Sequence, residues 1–201
     1  MTGASMYDTA EGARAYARMA QGFDGRTHVE RLAQLLKPGS SVLELGMGPG
    51  VDLDMLAEKF AVVGSDLSPA FLDRYTRLRP GIELEKLDAI TIDTARDFDA
   101  IYSNKVLQHL TREELRLSLI CQSEILRPGG VILHGLWAGS FSNDHNGLHD
   151  TRYLPETLEP LVPQSLNITE CSFYTEMERD DSLRVILQPI ASSGHVADRR
   201  S

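Results

Sequence analysis

Two rhythms of apolar residues take turns along this chain. Val29, Leu32, Ala33 and Leu36 recur at helical spacing and stop at Lys37-Pro38-Gly39. Ser41–Leu45 is a short continuous apolar run, followed by the turn Gly46-Met47-Gly48-Pro49-Gly50. Leu53, Leu56, Ala57 and Phe60 then return to the helical period. The exchange repeats. Ala61–Asp66 is a second run, and Phe71, Leu72, Tyr75 and Leu78 mark a second helix, ended by Arg79-Pro80-Gly81. Ile82–Leu87 and Phe98–Asn104 are further runs, Leu115, Leu119 and Ile120 face inward on a helix, and Val131–Leu136 is a fifth run after the turn Leu126–Gly130. Continuous apolar runs are buried on both faces, as parallel strands are. Alternation with helices therefore predicts a doubly wound α/β sheet with helices on both faces. Leu166–Thr175 and Leu183–Pro189, joined by the acidic turn Glu176–Asp181, add two more strands.

Helix starts are legible too. Thr27 and Glu30 have the spacing of a capping box, which leaves His28 as a solvated residue of the first turn. Ser68-Pro69 supplies an N-cap and a first helical position. Thr111 and Glu114 form another capping box. Residues 1–37 read as a helical arm carrying Tyr7 and Tyr16, loosened at Gly12 and broken at Gln21–Gly25.

Strand, glycine turn and helix in succession make a nucleotide-type ligand site at a sheet edge. The dinucleotide fingerprint is not met, because the third glycine falls at Gly50 and Val51 stands where it belongs. Asp52 and Asp54 in the first helical turn suit the positive helix end but would repel a pyrophosphate. No Gly-Lys-Ser/Thr follows, which excludes a P-loop. The turn suits a nucleoside ligand without phosphates. Asp66 closes the second strand about twenty positions after Gly46, the spacing of a ribose-binding carboxylate. A helix cap is the alternative for Asp66, but Ser68 already fills that place.

Length and charge narrow the partners. The 201 residues suit a single domain, here 1–190, with a disordered tail over 191–201. The net charge of −9 lacks the basic footprint of a nucleic-acid binder, so a small-molecule partner is expected. No apolar run approaches a membrane span of roughly 20 residues. No secretory pattern opens the sequence, and Cys121 and Cys171 are too few and too far apart for a disulfide framework, so a cytoplasmic protein is expected.

Glu44-Leu45-Gly46-Met47-Gly48-Pro49-Gly50 resembles the first motif of the class I (Rossmann-like) S-adenosylmethionine-dependent methyltransferases of small-molecule type. Phe98–Asn104, the segment Lys105–Leu110 ending in His109-Leu110, and Leu126-Arg127-Pro128-Gly129-Gly130 before an apolar strand extend the likeness over about 41–136. The resemblance implies a seven-stranded, mostly parallel sheet with an antiparallel last strand. It implies S-adenosylmethionine as cofactor and an O, N or C nucleophile as acceptor. Gly46, Met47, Gly48 and Gly50 would then admit the cofactor's amino-acid end, with Glu44 bracing the turn or reaching the amino group. Asp66 would hold ribose, with Leu67 beside the adenine. Asp88 and Ala89 would hold the adenine edge, unless Asp88 only caps Thr91–Ala95. Asn104 would contact the amino-acid part. The arm with Tyr16 would fold over the cofactor, or else pack on the sheet edge. His109, just after the fourth strand, is the candidate base, with a packed or capping histidine as the alternative.

The polar stretch 138–154 has no apolar period and reads as a loop on the substrate side. His145 and His149 lie four apart beside Asp144 and Asp150, but without helical support no metal site is expected. His134 lies mid-strand and reads as buried structure. Three rival functions remain: an NAD-dependent oxidoreductase, opposed by Val51 and the acidic turn; a cofactor- or partner-binding protein without turnover; and a nucleic-acid methyltransferase, opposed by charge.

Overall fold

The computed structural model describes Tyr7, residues 9–145 and residues 148–190; the tail expected over 191–201 lies outside them. The arm forms helix α1 (Ala10–Met19), capped by Thr9, and α2 (Arg26–Leu35) follows. Strand β1 (Ser41–Leu45) leads through the glycine turn into α3 (Val51–Ala57). Then come β2 (Ala61–Asp66), α4 (Pro69–Leu78), β3 (Glu83–Lys86) and β4 (Phe98–Asn104). A 3-10 turn at Leu107–His109 precedes α5 (Arg112–Ile125) and β5 (Leu126–Trp137). A hairpin, β6 (Ser142–His145) and β7 (Leu148–Thr151), precedes α6 (Pro155–Leu158), β8 (Leu166–Tyr174) and β9 (Ser182–Pro189).

The main sheet has seven strands in the order β3-β2-β1-β4-β5-β9-β8. The first five are parallel, and β9 runs antiparallel between β5 and β8. Strand order reverses between β1 and β4, so their carboxyl ends open a crevice at the switch point. Two apolar layers clamp the sheet. One is built on Leu43, Leu45, Ile101, Ile132 and the inner face of α5; the other joins Val42, Ala100, Tyr102 and Leu133 to α2 and α3. Alternate residues of one strand serve opposite layers, as the pleat requires.

Three expectations change. The capping box at Thr27 does not form: α2 begins two residues earlier, with Gly25 at its N-cap. The cause is Asp52, whose carboxylate accepts the Gly25 N–H at 2.7 Å and pulls the chain inward. A Cβ on Gly25 would lie 2.1 Å from the Tyr102 hydroxyl, so the approach needs glycine. That shift turns His28 inside, where it is 1% exposed and packs edge-on against Tyr174. The turn at Leu126–Gly130 is absorbed into β5 as a bulge between Leu126 and Val131. Within 138–154 the expected loop is a small hairpin, tied by Ser142 to Thr151 across its strands.

Candidate active site

The crevice is built from the strand ends upward. Gly48 donates its N–H to Asp66 Oδ2 at 2.9 Å, and Ser68 donates its N–H to Oδ1 at 2.8 Å. One carboxylate thus locks the turn after β1 to the turn after β2. Burial raises the Asp66 pKa, and the N–H groups of Ser68, Gly48 and Leu67 oppose that rise. Each oxygen keeps a further lone pair, which suits hydroxyl donors. Leu67 stands exposed beside it.

Glu44 is the penultimate residue of β1, and its Oε2 is buried with no hydrogen-bond partner. Burial, then the negative charges of Asp52, Asp66 and Asp54, push its pKa well above the carboxylate range. An unmatched acceptor in an acidic surround is the complement of a cationic or amino donor.

The three glycines play different parts. A Cβ on Gly46 would meet Val106 at 2.5 Å, and one on Gly50 would enter the Tyr75 ring at 2.2 Å. Their bareness serves packing. Gly48 alone faces the open side, where its nearest neighbour is the Tyr16 ring at 3.9 Å. Met47 contributes backbone only, because its side chain is buried with Leu53 and Tyr75.

The arm lies over this turn. Tyr16 and Tyr7 pack edge-to-face with centroids 5.3 Å apart, Phe71 of α4 flanks both, and His109 stands 6.2 Å from Tyr7. Ser68 Oγ donates to the Tyr7 carbonyl oxygen at 2.5 Å and pins the arm to the start of α4. Burial, followed by Asp66, Glu176 and Asp52, raises the Tyr16 pKa.

His109 Nδ1 lies 2.8 Å from the carbonyl oxygen of His149 in β7. A carbonyl only accepts, so Nδ1 carries the proton and the neutral ring keeps its lone pair on Nε2. Asn104 turns inward. Its Nδ2 donates to Asp52 at 3.1 Å, and its Oδ1 is buried without a partner. Asp52 also accepts from the Tyr102 hydroxyl at 2.6 Å, so it anchors the floor of the crevice. At the end of β3, Asp88 Oδ1 accepts the Ile90 N–H at 2.8 Å, and Ala89 follows half-buried. No helix forms over Thr91–Ala95 for Asp88 to cap.

Sequence reasoning missed Lys105. Its backbone is left-handed, at φ 56°. Its Nζ donates to the Leu136 carbonyl and to Ser182 Oγ, pairs with Glu176 at 3.3 Å, and sits 3.6 Å from the centre of the Trp137 ring. Burial lowers its pKa to about 8, against the pull of Glu176. A lysine just past a strand carries no sequence signal for such a box.

The strand order, the turn after β1 and the acid ending β2 together match one known architecture. A family model described as a methyltransferase domain matches residues 42–130. Over that stretch the chain is similar to the methyltransferases. Over 94 residues the chain is 32% identical to a trans-aconitate 2-methyltransferase of Methylobacterium nodulans. That match spans 45% of this chain but only 36% of the relative's length. Among solved structures, the chain is similar to the N-methyltransferase NodS of Bradyrhizobium japonicum, crystallised with S-adenosyl-l-homocysteine. The TM-score is 0.69 at 21% identity, covering 92% of this chain and 98% of that one. It is also similar to a 1,6-didemethyltoxoflavin-N1-methyltransferase of Burkholderia thailandensis, with TM-score 0.75, 16% identity, and 92% and 86% of the two chains covered. At those identities the structures share the fold.

Among the described residues, no three His, Cys, Asp or Glu stand close enough to hold a metal, and no helix is long and apolar enough to cross a membrane. The side chains of Asp144 and His145 lie outside the described residues.

Proposed function

We propose that the protein transfers a methyl group from S-adenosylmethionine to a small-molecule acceptor in the cytoplasm. The observation that carries this reading is the acidic crevice. Asp52, Asp54 and Asp66 act together on the buried Glu44 beside a glycine turn whose open position is Gly48. Arg79 pairs Asp54 on the outer side of α3. Such a field attracts a sulfonium and an ammonium and repels a diphosphate.

In this reading Gly48 and the turn admit the amino-acid end of the cofactor, and Glu44 Oε2 meets its amino group. Asp66, held from behind by two N–H groups, keeps lone pairs for the ribose hydroxyls. Leu67 lies along the adenine, and Asp88 with Ala89 reads its edge. Asn104 acts from below, through Asp52, rather than by touching the ligand. The bound cofactor supplies a methyl carbon already activated for displacement. The protein's part is to align acceptor and methyl, exclude water under Tyr7 and Tyr16, and take a proton at His109 Nε2 where the acceptor must lose one.

Calorimetric titration with S-adenosylhomocysteine and with NADH tests the reading. Binding of the first alone is expected. Binding of NADH alone would overturn it.

A further inference from the structure

A line of buried polar side chains crosses the apolar layer between α5 and the sheet. Ser103, Ser118 and Gln122 are 0% exposed and His134 is 2% exposed. Their donors all point one way. His134 Nε2 lies 2.9 Å from Gln122 Oε1, which only accepts, so the ring proton is on Nε2. Nδ1 therefore accepts from Ser103 Oγ, at 2.8 Å. Gln122 Nε2 donates to Ser118 Oγ at 3.0 Å, and Ser118 Oγ donates to the Ala89 carbonyl at 2.6 Å.

The line ends on a single peptide group. The Ala89 carbonyl is held by Ser118, and the N–H of the same peptide, on Ile90, is held by Asp88 Oδ1 at 2.8 Å. A peptide group is planar, so fixing one end fixes the other. Asp88 Oδ1 is thereby engaged and the carboxylate is oriented, with Oδ2 and the second lone pair of Oδ1 left for a ligand. The loop is held against its preference, because the β-branched Ile92 sits at φ 45°. Its N–H bonds back to the Asp88 carbonyl at 2.9 Å. Burying four polar side chains is costly unless each is satisfied, and a satisfied network rigidifies what it touches.

We propose that Ser118, Gln122 and His134 are positioning residues that fix the Asp88 carboxylate at the end of β3 for the adenine edge of the cofactor. This rests on the cofactor reading above. Burial holds His134 neutral, with its pKa lowered to about 3, so the line keeps its direction throughout the neutral range.

The test has two arms. Hydrogen exchange of the Ile90 amide is measured in the ligand-free wild type and in Ser118→Ala. The exchange is expected to speed up by about tenfold. Calorimetry with S-adenosylhomocysteine then compares wild type, Ser118→Ala, Asp88→Ala and the double variant. Ser118→Ala is expected to weaken binding by about three- to tenfold, the range of one neutral hydrogen bond. It should add almost nothing once Asp88 is gone. It should also narrow the preference for S-adenosylhomocysteine over its 6-oxo (inosine) analogue, which general loosening would not do. Gln122→Met, which leaves the Ser118 bond in place, should shift both readouts the same way by less, and it serves if Ser118→Ala fails to fold. Unchanged Ile90 exchange, or additive losses in the double variant, overturns the proposal while wild-type binding stands. A wild type that ignores S-adenosylhomocysteine removes the cofactor reading and this role with it.

Discussion

His109 is oriented by a backbone carbonyl, that of His149, 2.8 Å from its Nδ1. The hairpin of β6 and β7 thus sets the tautomer of the candidate base. His109→Ala is expected to lower turnover by about 10²–10⁴-fold, the range of a lost general base. The affinity for S-adenosylhomocysteine should stay within about twofold, since no cofactor contact is assigned to the ring. His149→Ala keeps the carbonyl and should retain most of the activity. Steady-state kinetics beside calorimetry checks the split; equal losses in both would make His109 structural.

Asp66 joins the two turns that frame the crevice, through Gly48 and Ser68. Asp66→Ala should weaken S-adenosylhomocysteine binding by one to two orders of magnitude, from the loss of charged hydrogen bonds at about 1.5–3 kcal/mol each. Asp66→Asn keeps one acceptor oxygen and should fall between. Titration calorimetry separates the three proteins. Unchanged affinity in Asp66→Ala would cancel the ribose assignment.

Most of this scaffold was legible because buried parallel strands and amphipathic helices print their periods directly. Val42–Leu45 and Leu53–Phe60 show it, and the acid at Asp66 follows from strand spacing. What escaped was set by contacts between distant segments. His28 reads as a surface residue until Asp52 draws Gly25 inward and rotates α2. Ser118 and Gln122 carry no apolar signal in the sequence, yet they occupy the buried face of α5, where His134 and Ala89 give them partners. Lys105 stands in the sequence only as the first residue after a strand, while three acceptors and an indole box it in. The hairpin within 138–154 has too polar a pattern to announce strands; pairing of Ser142–His145 with Leu148–Thr151 makes them.

Lys105 also gives a signal that can be read optically. Trp137, under its ammonium, is the only tryptophan of the chain. Burial lowers the Lys105 pKa from 10.5 to about 8, so the charge over the indole is lost between roughly pH 7 and 9. Tryptophan emission should change with a midpoint near pH 8, and Lys105→Met should abolish the transition. The sign for stability follows. The folded state gives up this proton before the unfolded state does. The cost of burying the charge is therefore fully present below pH 8 and fades as pH climbs toward the free-lysine value. Denaturation at pH 7 and pH 9.5 should show a smaller pH dependence in Lys105→Met.

Gly48 and Gly50 are two residues apart in one turn, yet their substitution should fail in different ways. Both have positive φ, 50° and 84°, so alanine at either costs about 1–2 kcal/mol of backbone strain. At Gly50 the new methyl would also strike the Tyr75 ring at 2.2 Å, and overpacking adds about 1–3 kcal/mol. Gly50→Ala should therefore lose about 2–5 kcal/mol of stability in a denaturant melt. At Gly48 the methyl meets only Tyr16, at an ordinary contact distance of 3.9 Å. The stability loss should be the smaller one, but the methyl fills the space between the turn and the arm. Gly48→Ala should bind S-adenosylhomocysteine at least about tenfold more weakly, because a side chain there holds a ligand off the backbone. A Gly48→Ala protein that binds as tightly as wild type would place the ligand elsewhere.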